Sequence, residues 1–181
     1  IVRVMIECYL MMKYLLKKSK EKETVWEEYQ FHGIGKYKAT LKNHQENEAS
    51  LDKSHINVNY LNLIVNEFKD EEFVDIDTSY FDDIGIRTLA ITVGEKDLYS
   101  LYYNYDSSFE HGLWGAIRES SLIACENPAH QYHSIPDVEN FQKMKSVWYD
   151  AVMVMNKTIG LLIEEFGISD ELKNRMKENG L

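Results

Sequence analysis

The sequence predicts an all-α fold: a single-domain helical bundle of about six or seven helices, with long central and C-terminal members. Three observations carry that prediction. Apolar residues recur at three- and four-residue spacing through most of the chain. Only two prolines and nine glycines interrupt 181 residues. Strand-like alternation is confined to one short run, residues 73–76.

Residues 1–18 are apolar almost all round, which marks a central helix buried on most of its surface. Thr24 opens a second helix, with Glu27 three residues on completing a capping box, and the pattern runs to about His44. Gly33 and Gly35 in its middle favour a kink or a close helix contact. Ser54 or His55 opens a third helix through Phe68, with Val58, Leu61, Leu63 and Ile64 as its apolar positions. Residues 70–80 read as acidic and irregular. Helical periodicity returns at Asp82, breaks at Gly94 and resumes over residues 95–109 with Tyr99, Tyr102, Tyr103 and Tyr105. Residues 111–125 carry Leu113, Trp114, Ile117 and Leu122, and a loop containing Pro128 follows. Pro136 suits a helix start before Asp137. The last long helix has the cleanest stripe in the chain: Phe141, Met144, Trp148, Ala151, Met155, Ile159, Leu162 and Phe166. Gly167 stops it with a left-handed cap, and Ser169 caps a short terminal helix. No repeat, linker or low-complexity tract appears, so one domain spans residues 1–181. The chain opens on Ile1 in mid-pattern, with no initiator Met and no N-cap, and the expectation is that sequence upstream was removed or is not ordered.

The formal net charge of −10 repels nucleic acid and anionic membrane. No DNA partner is expected, and RNA could be held only by a local basic patch. Residues 13–42 carry eight lysines against four glutamates, and residues 67–83 carry eight acids and one lysine. Runs of this kind ordinarily form solvated helix faces. Cys8 and Cys125 show no CxxC or zinc-finger spacing and read as two core thiols of a reduced, cytoplasmic protein. The apolar N-terminal stretch contains Arg3, Glu7 and Lys13 and is too short to cross a bilayer. It lacks a basic n-region and a cleavage site, so no signal peptide and no membrane association are expected.

The candidate site is a polar column. Tyr103, Ser107 and His111 follow one another at four-residue spacing, with Tyr99 four residues upstream, which stacks them on one helical face. Arg3 and Glu7 are also four apart, on the helix expected to be most buried, where charges must be paired. Joining Arg3, Glu7, Tyr103, Ser107 and His111 into one cluster would give a polar pocket inside an apolar bundle. The plain alternative is an intrahelical ion pair, with Ser, His and Tyr satisfying neighbouring groups in a core. No nucleophile-elbow glycines surround Ser107. His130 and His133 form an HxxH motif, with His111 as a third ligand to weigh, but no carboxylate at helical spacing completes a di-iron set. No metal and no cofactor are therefore expected, and there is no phosphate loop or dinucleotide fingerprint.

The run Arg3-x-x-x-Glu7-x-Tyr9, followed by Tyr103-x-x-x-Ser107-x-x-x-His111, resembles the bacterial domain-of-unknown-function 5677 family over nearly the whole chain, to about Gly167. The resemblance implies an α-helical bundle and brings no established activity. A more distant similarity is to the HEPN superfamily of helical ribonucleases and toxin components, which carry Arg, variable residues and then His on one helix. Arg3, Arg87 and Arg118 are not followed by His at that spacing. The expectation is a protein-binding or defence-associated module, self-associating as a homodimer or taking a protein partner. The alternative is a HEPN-like ribonuclease or other hydrolase using the Arg3, Glu7, Ser107 and His111 cluster.

Overall fold

In the computed structural model, residues 1–46, 57–67, 79–130, 133–139 and 145–167 are described. Among them run seven α-helices: α1 (Val2–Ser19), α2 (Val25–Glu46), α3 (Val58–Glu67), α4 (Ile86–Thr92), α5 (Asn104–Glu110), α6 (Trp114–Ser121) and α7 (Lys145–Phe166). A 3₁₀ turn (Phe81–Asp83) precedes α4, and a π-helical turn (Leu98–Tyr103) precedes α5. Two three-residue strands, β1 (Leu122–Ala124) and β2 (Ser134–Pro136), form an antiparallel pair. The fold is the expected all-α bundle; among the described residues the small hairpin, the 3₁₀ turn and the π-helical turn were not foreseen. Ser54, His55, Phe68, Phe141, Met144, Ser169 and the strand-like run at residues 73–76 lie outside the described residues.

The chain divides into two compact units: Ile1–Tyr14 with Ile86–Leu181, and Leu15–Gly85. No composition break marks either boundary, and α1 contributes its first part to one unit and its end to the other.

In the Leu15–Gly85 unit, Leu15, Leu16, Val25, Ile34, Leu41 and Phe81 are buried, and Tyr29 and His32 meet Phe81 edge-on at 5.2 and 5.5 Å. Thr24 does precede α2, but its hydroxyl donates to the Glu28 side chain, Oε1 at 2.9 Å, and not to a capping box with Glu27. Lys22 also pairs with Glu28 and chiefly accounts for that carboxyl's lowered pKa. Asn57 caps α3 by accepting the Tyr60 N–H at 3.0 Å. The lysine-rich run is largely engaged: Lys18 with Asp82, Lys22 with Glu28, Lys42 with Glu46 at 4.0 Å, and Lys36 with the Ser79 carbonyl at 2.6 Å. Partners inside the unit neutralise much of what would otherwise be a basic patch.

In the other unit, Val2, Ile6, Tyr9, Leu10 and Tyr14 of α1 are buried, as are Leu89, Ala90, Leu98, Tyr103, Ala116 and Val154. Gly94 ends α4 as expected. Its φ is +76°, its N–H reaches the Ile91 carbonyl at 3.1 Å, and the Glu95 N–H reaches the Ala90 carbonyl at 2.7 Å. These are the paired bonds of a Schellman motif, and they fix the exit direction of the chain at Glu95. The Glu95 side chain, 11% exposed, takes Tyr9 Oη and Lys13 Nζ on Oε1, each at 2.6 Å, and Lys157 Nζ on Oε2 at 2.9 Å. One carboxylate thus joins α1, the α4 terminus and α7.

Three expectations are corrected. On α7, Trp148, Met155 and Phe166 are exposed, while Val154 is buried and Lys157 reaches Glu95. The cleanest apolar stripe is therefore only partly covered: Ala151, Ile159 and Leu162 are half-buried, and at 100° per residue the buried Val154 lies on a different side of the helix. Cys8 is exposed on α1 and Cys125 is half-buried beyond β1, so neither is a core thiol. Residues 95–109 do not form a continuous α-helix, since the π-helical turn occupies Leu98–Tyr103.

Burial opposes ionisation of Glu95, but its three donors prevail and hold the carboxyl down at about 2, against 4.5 ordinarily. A depressed carboxyl pKa stabilises the fold above the unfolded value and loses that contribution as pH falls from about 4.5 toward 2. Discounted for the partly exposed lysines, this is worth roughly 2 kcal/mol at neutral pH. Glu95→Gln should lower the melting temperature at pH 7 by roughly 4–8 °C. It should also flatten the acid limb of stability against pH, as followed by circular dichroism.

Candidate polar cluster

Arg3 and Glu7 occupy successive turns at the start of α1, so their side chains share one face. Arg3 Nη2 lies 3.1 Å from Glu7 Oε1. Tyr103, buried at the end of the π-helical turn, donates its hydroxyl to the same Glu7 oxygen at 2.7 Å. The Arg3 guanidinium lies over the Tyr103 ring at 5.1 Å, and Tyr99 stacks on the other tyrosine with centroids 5.3 Å apart. Glu110, on α5, pairs with the second Arg3 terminal nitrogen. Burial and the neighbouring Glu7 carboxylate raise the Tyr103 pKa, with Arg3 opposing. The Tyr103 oxygen is the largest cause holding the Arg3 pKa up.

Of the five candidate residues, the structure brings Arg3, Glu7 and Tyr103 together. Ser107 and His111 are placed differently. Gly112, with φ +58°, closes α5: its N–H reaches the Phe109 carbonyl at 3.3 Å, and the Leu113 N–H reaches the Ser108 carbonyl at 3.0 Å. This second Schellman motif makes His111 the helix C-cap, with φ −87° and ψ 5°. Its ring is exposed, Ser107 is half-buried, and the His111 N–H donates to the Ser107 carbonyl at 3.1 Å. Among the described residues no side-chain bond joins the pair, so the geometry shows no activated serine.

Glu110, Asp106 and Asp150 were missed by sequence reasoning. Arg3, Asp106, Phe109, Glu110 and Val147 line a cleft of about 370 Å³ beside α1. Asp106 Oδ2 and Arg3 Nε are buried without a hydrogen-bond partner among the described residues. Burial, and secondarily repulsion from Asp150, raise the Asp106 pKa. Glu110 and Asp106 are four apart on a short helix, but their nearness to Arg3 is set by the fold, so no local signal singled them out. The cleft is mainly apolar, lined also by Ile1, Val2 and Val4, with Arg3, Asp106 and Glu110 as its polar groups.

The pattern of the family of unknown function DUF5677 matches residues 1–130. It covers α1 through α6 and β1, and ends before β2 and α7. No curated protein and no solved structure matches the chain. No helix of the described residues is long and apolar enough to cross a membrane.

An acid whose folded pKa is raised costs stability at every pH above its unfolded value. Asp106→Asn should therefore raise the melting temperature at pH 7. Tyr103→Phe should lower it by about 2–4 °C, for about 1 kcal/mol, through loss of the bond to Glu7, and His111→Ala should leave it unchanged. Differential scanning fluorimetry at pH 5 and 7 checks all three, and the gain from Asp106→Asn should shrink at the lower pH.

Proposed function

We propose that this chain, which belongs to the family of unknown function DUF5677, is a non-enzymatic protein-association module that pairs with a second copy of itself through α7. The observation that carries this reading is the face of α7 bearing Trp148 (71% exposed), Met155 and Phe166 (64% exposed). Val152, Ile159 and Leu162 lie on the same side by helical spacing, and no charged residue falls among these six positions. From Trp148 to Phe166 the face is about 27 Å long, enough for one side of an antiparallel helix pair. The chain's net charge of −10 makes two copies repel at long range, so pairing should strengthen as added salt screens that repulsion. A two-fold pairing sets the same patch against itself, so one apolar face serves both copies. A cytoplasmic setting fits this reading, as does the defence-associated role that the HEPN-like resemblance suggests.

The Arg3, Glu7, Tyr103 and Glu110 cluster then acts to hold α1 against the π-helical turn and α5. The alternative, a HEPN-like ribonuclease or other hydrolase, would need Arg3, Glu7, Ser107 and His111 to act together. Support for it is weaker, since Ser107 and His111 share a main-chain bond and no side-chain one.

Sedimentation at micromolar to hundred-micromolar protein should give a dimer, and Trp148→Glu should convert it to a folded monomer. A parent protein that stays monomeric throughout ends the self-association reading. Incubation with single-stranded RNA should leave the RNA intact, whereas cleavage that His111→Ala abolishes without unfolding the protein would restore the hydrolase alternative.

A further inference from the structure

Beyond α6 the chain builds a second polar constellation that the proposed association surface does not use. β1 and β2 pair with Ala124 opposite Ser134, and the Cys125 N–H donates to the His133 carbonyl at 3.0 Å, extending the ladder by one pair. Cys125 and His133 are thereby opposite neighbours, at a separation where side chains on one face meet. Between them, Asn127-Pro128-Ala129-His130 forms a turn closed by the His130 N–H on the Asn127 carbonyl at 2.9 Å. Pro128 presets the turn, and the Asn127 side-chain oxygen accepts the Ala129 N–H at 3.0 Å. That turn carries His130 back over the strand ends. Arg118 on α6 donates to Ser134 Oγ at 2.9 Å and anchors β2 next to His133.

The result is three ligating side chains in one place. One ligand atom each from Cys125, His130 and His133 lie within 4.8 Å of one another, and Cys125 Sγ is 3.7 Å from His130 Nδ1. A tetrahedral ion with bonds of about 2.3 Å to sulfur and 2.0–2.1 Å to nitrogen separates those two atoms by about 3.6 Å. The spacing therefore already fits a metal ion between them. HxxH alone is a weak signal; the hairpin register strengthens it by supplying Cys125, and not His111, as the third ligand.

We propose that Cys125, His130 and His133 form a zinc-binding site with a fourth position open to water or an external donor. One thiolate and two imidazoles suit zinc's borderline softness, and three protein ligands leave one tetrahedral position free. His130 and His133 are exposed, so that position opens to solvent. Zinc takes the thiolate and neutral imidazoles, so uptake of zinc displaces the Cys125 thiol proton and weakens as pH falls.

The test uses the full chain without an affinity tag. Zinc is titrated in competition with a chromophoric chelator, and cobalt(II) serves as a spectroscopic probe. The expected result is one equivalent of zinc per chain with a dissociation constant of about 1 µM or tighter. Cobalt should give a thiolate-to-metal charge-transfer band. Cys125→Ser should abolish that band and weaken zinc at least tenfold, and His130→Ala and His133→Ala should each weaken zinc by a similar factor, with metal-free melting temperatures unchanged. Cys8→Ser should change neither. A weaker constant for the parent, or a thiolate band that survives Cys125→Ser, overturns the proposal.

Discussion

Glu95 is the tie on which the unit comprising Ile1–Tyr14 and Ile86–Leu181 depends. Its carboxylate is little exposed, and desolvation alone would drive it toward the neutral acid. Three donors from two helices, Tyr9, Lys13 and Lys157, reverse that tendency. Lys13 and Lys157 also lie 5.7 and 5.9 Å from the Tyr9 ring centroid, so the tyrosine serves both as donor to the acid and as an aromatic face for the cations. The arrangement works because Gly94 takes a left-handed conformation and delivers Glu95 at the correct exit angle. It also sets the rotation of α7: with Lys157 turned toward Glu95, Trp148 and Phe166 must face away.

The Arg3 cluster is a weaker and more conditional device. Glu7 accepts from both Arg3 and Tyr103, and Glu110 supplies Arg3 with a second carboxylate, so the charges on α1 are compensated. Asp106 is not. A half-buried carboxyl without a hydrogen-bond partner among the described residues, near another acid and lining a cleft, lowers stability where a neutral residue would not. Retention of such a group is common where a ligand or partner supplies the missing donor. Chemistry at this end of the molecule, if a ligand calls on it, would centre on Asp106 and Arg3 more than on His111, which caps a helix in solvent.

Two short turns do much to organise the functional surfaces. Gly112 ends α5 and leaves His111 exposed as its C-cap, and the Asn127–His130 turn with its following strand pair assembles Cys125, His130 and His133. Both rest on local residue chemistry, a glycine at positive φ in one case and an Asn-Pro pair in the other. Their consequences are non-local, since each decides which side chains from different elements meet.

By itself the sequence determined the helical class, because three- and four-residue apolar spacing is a local property that survives any tertiary arrangement. Local chemistry also made the stops at Gly94 and Gly167 legible, together with the Arg3–Glu7 pair. Tertiary structure decided the rest. Which edge of α7 is buried depended on a lysine–glutamate bond spanning 62 residues, which the strength of the Trp148–Phe166 stripe could not reveal. That Tyr103 would join Glu7 while Ser107 and His111 would not was decided by where α1 lies: Ser107 and His111 keep their helical spacing, as the His111 N–H bond to the Ser107 carbonyl shows, yet among the described residues neither makes a side-chain bond to Arg3 or Glu7. That Cys125 would meet two histidines depended on strand register, and a three-residue strand is too short to announce its pairing in sequence. Periodicity records which face a helix offers; long-range charge pairing and turn geometry settle which offer is taken up.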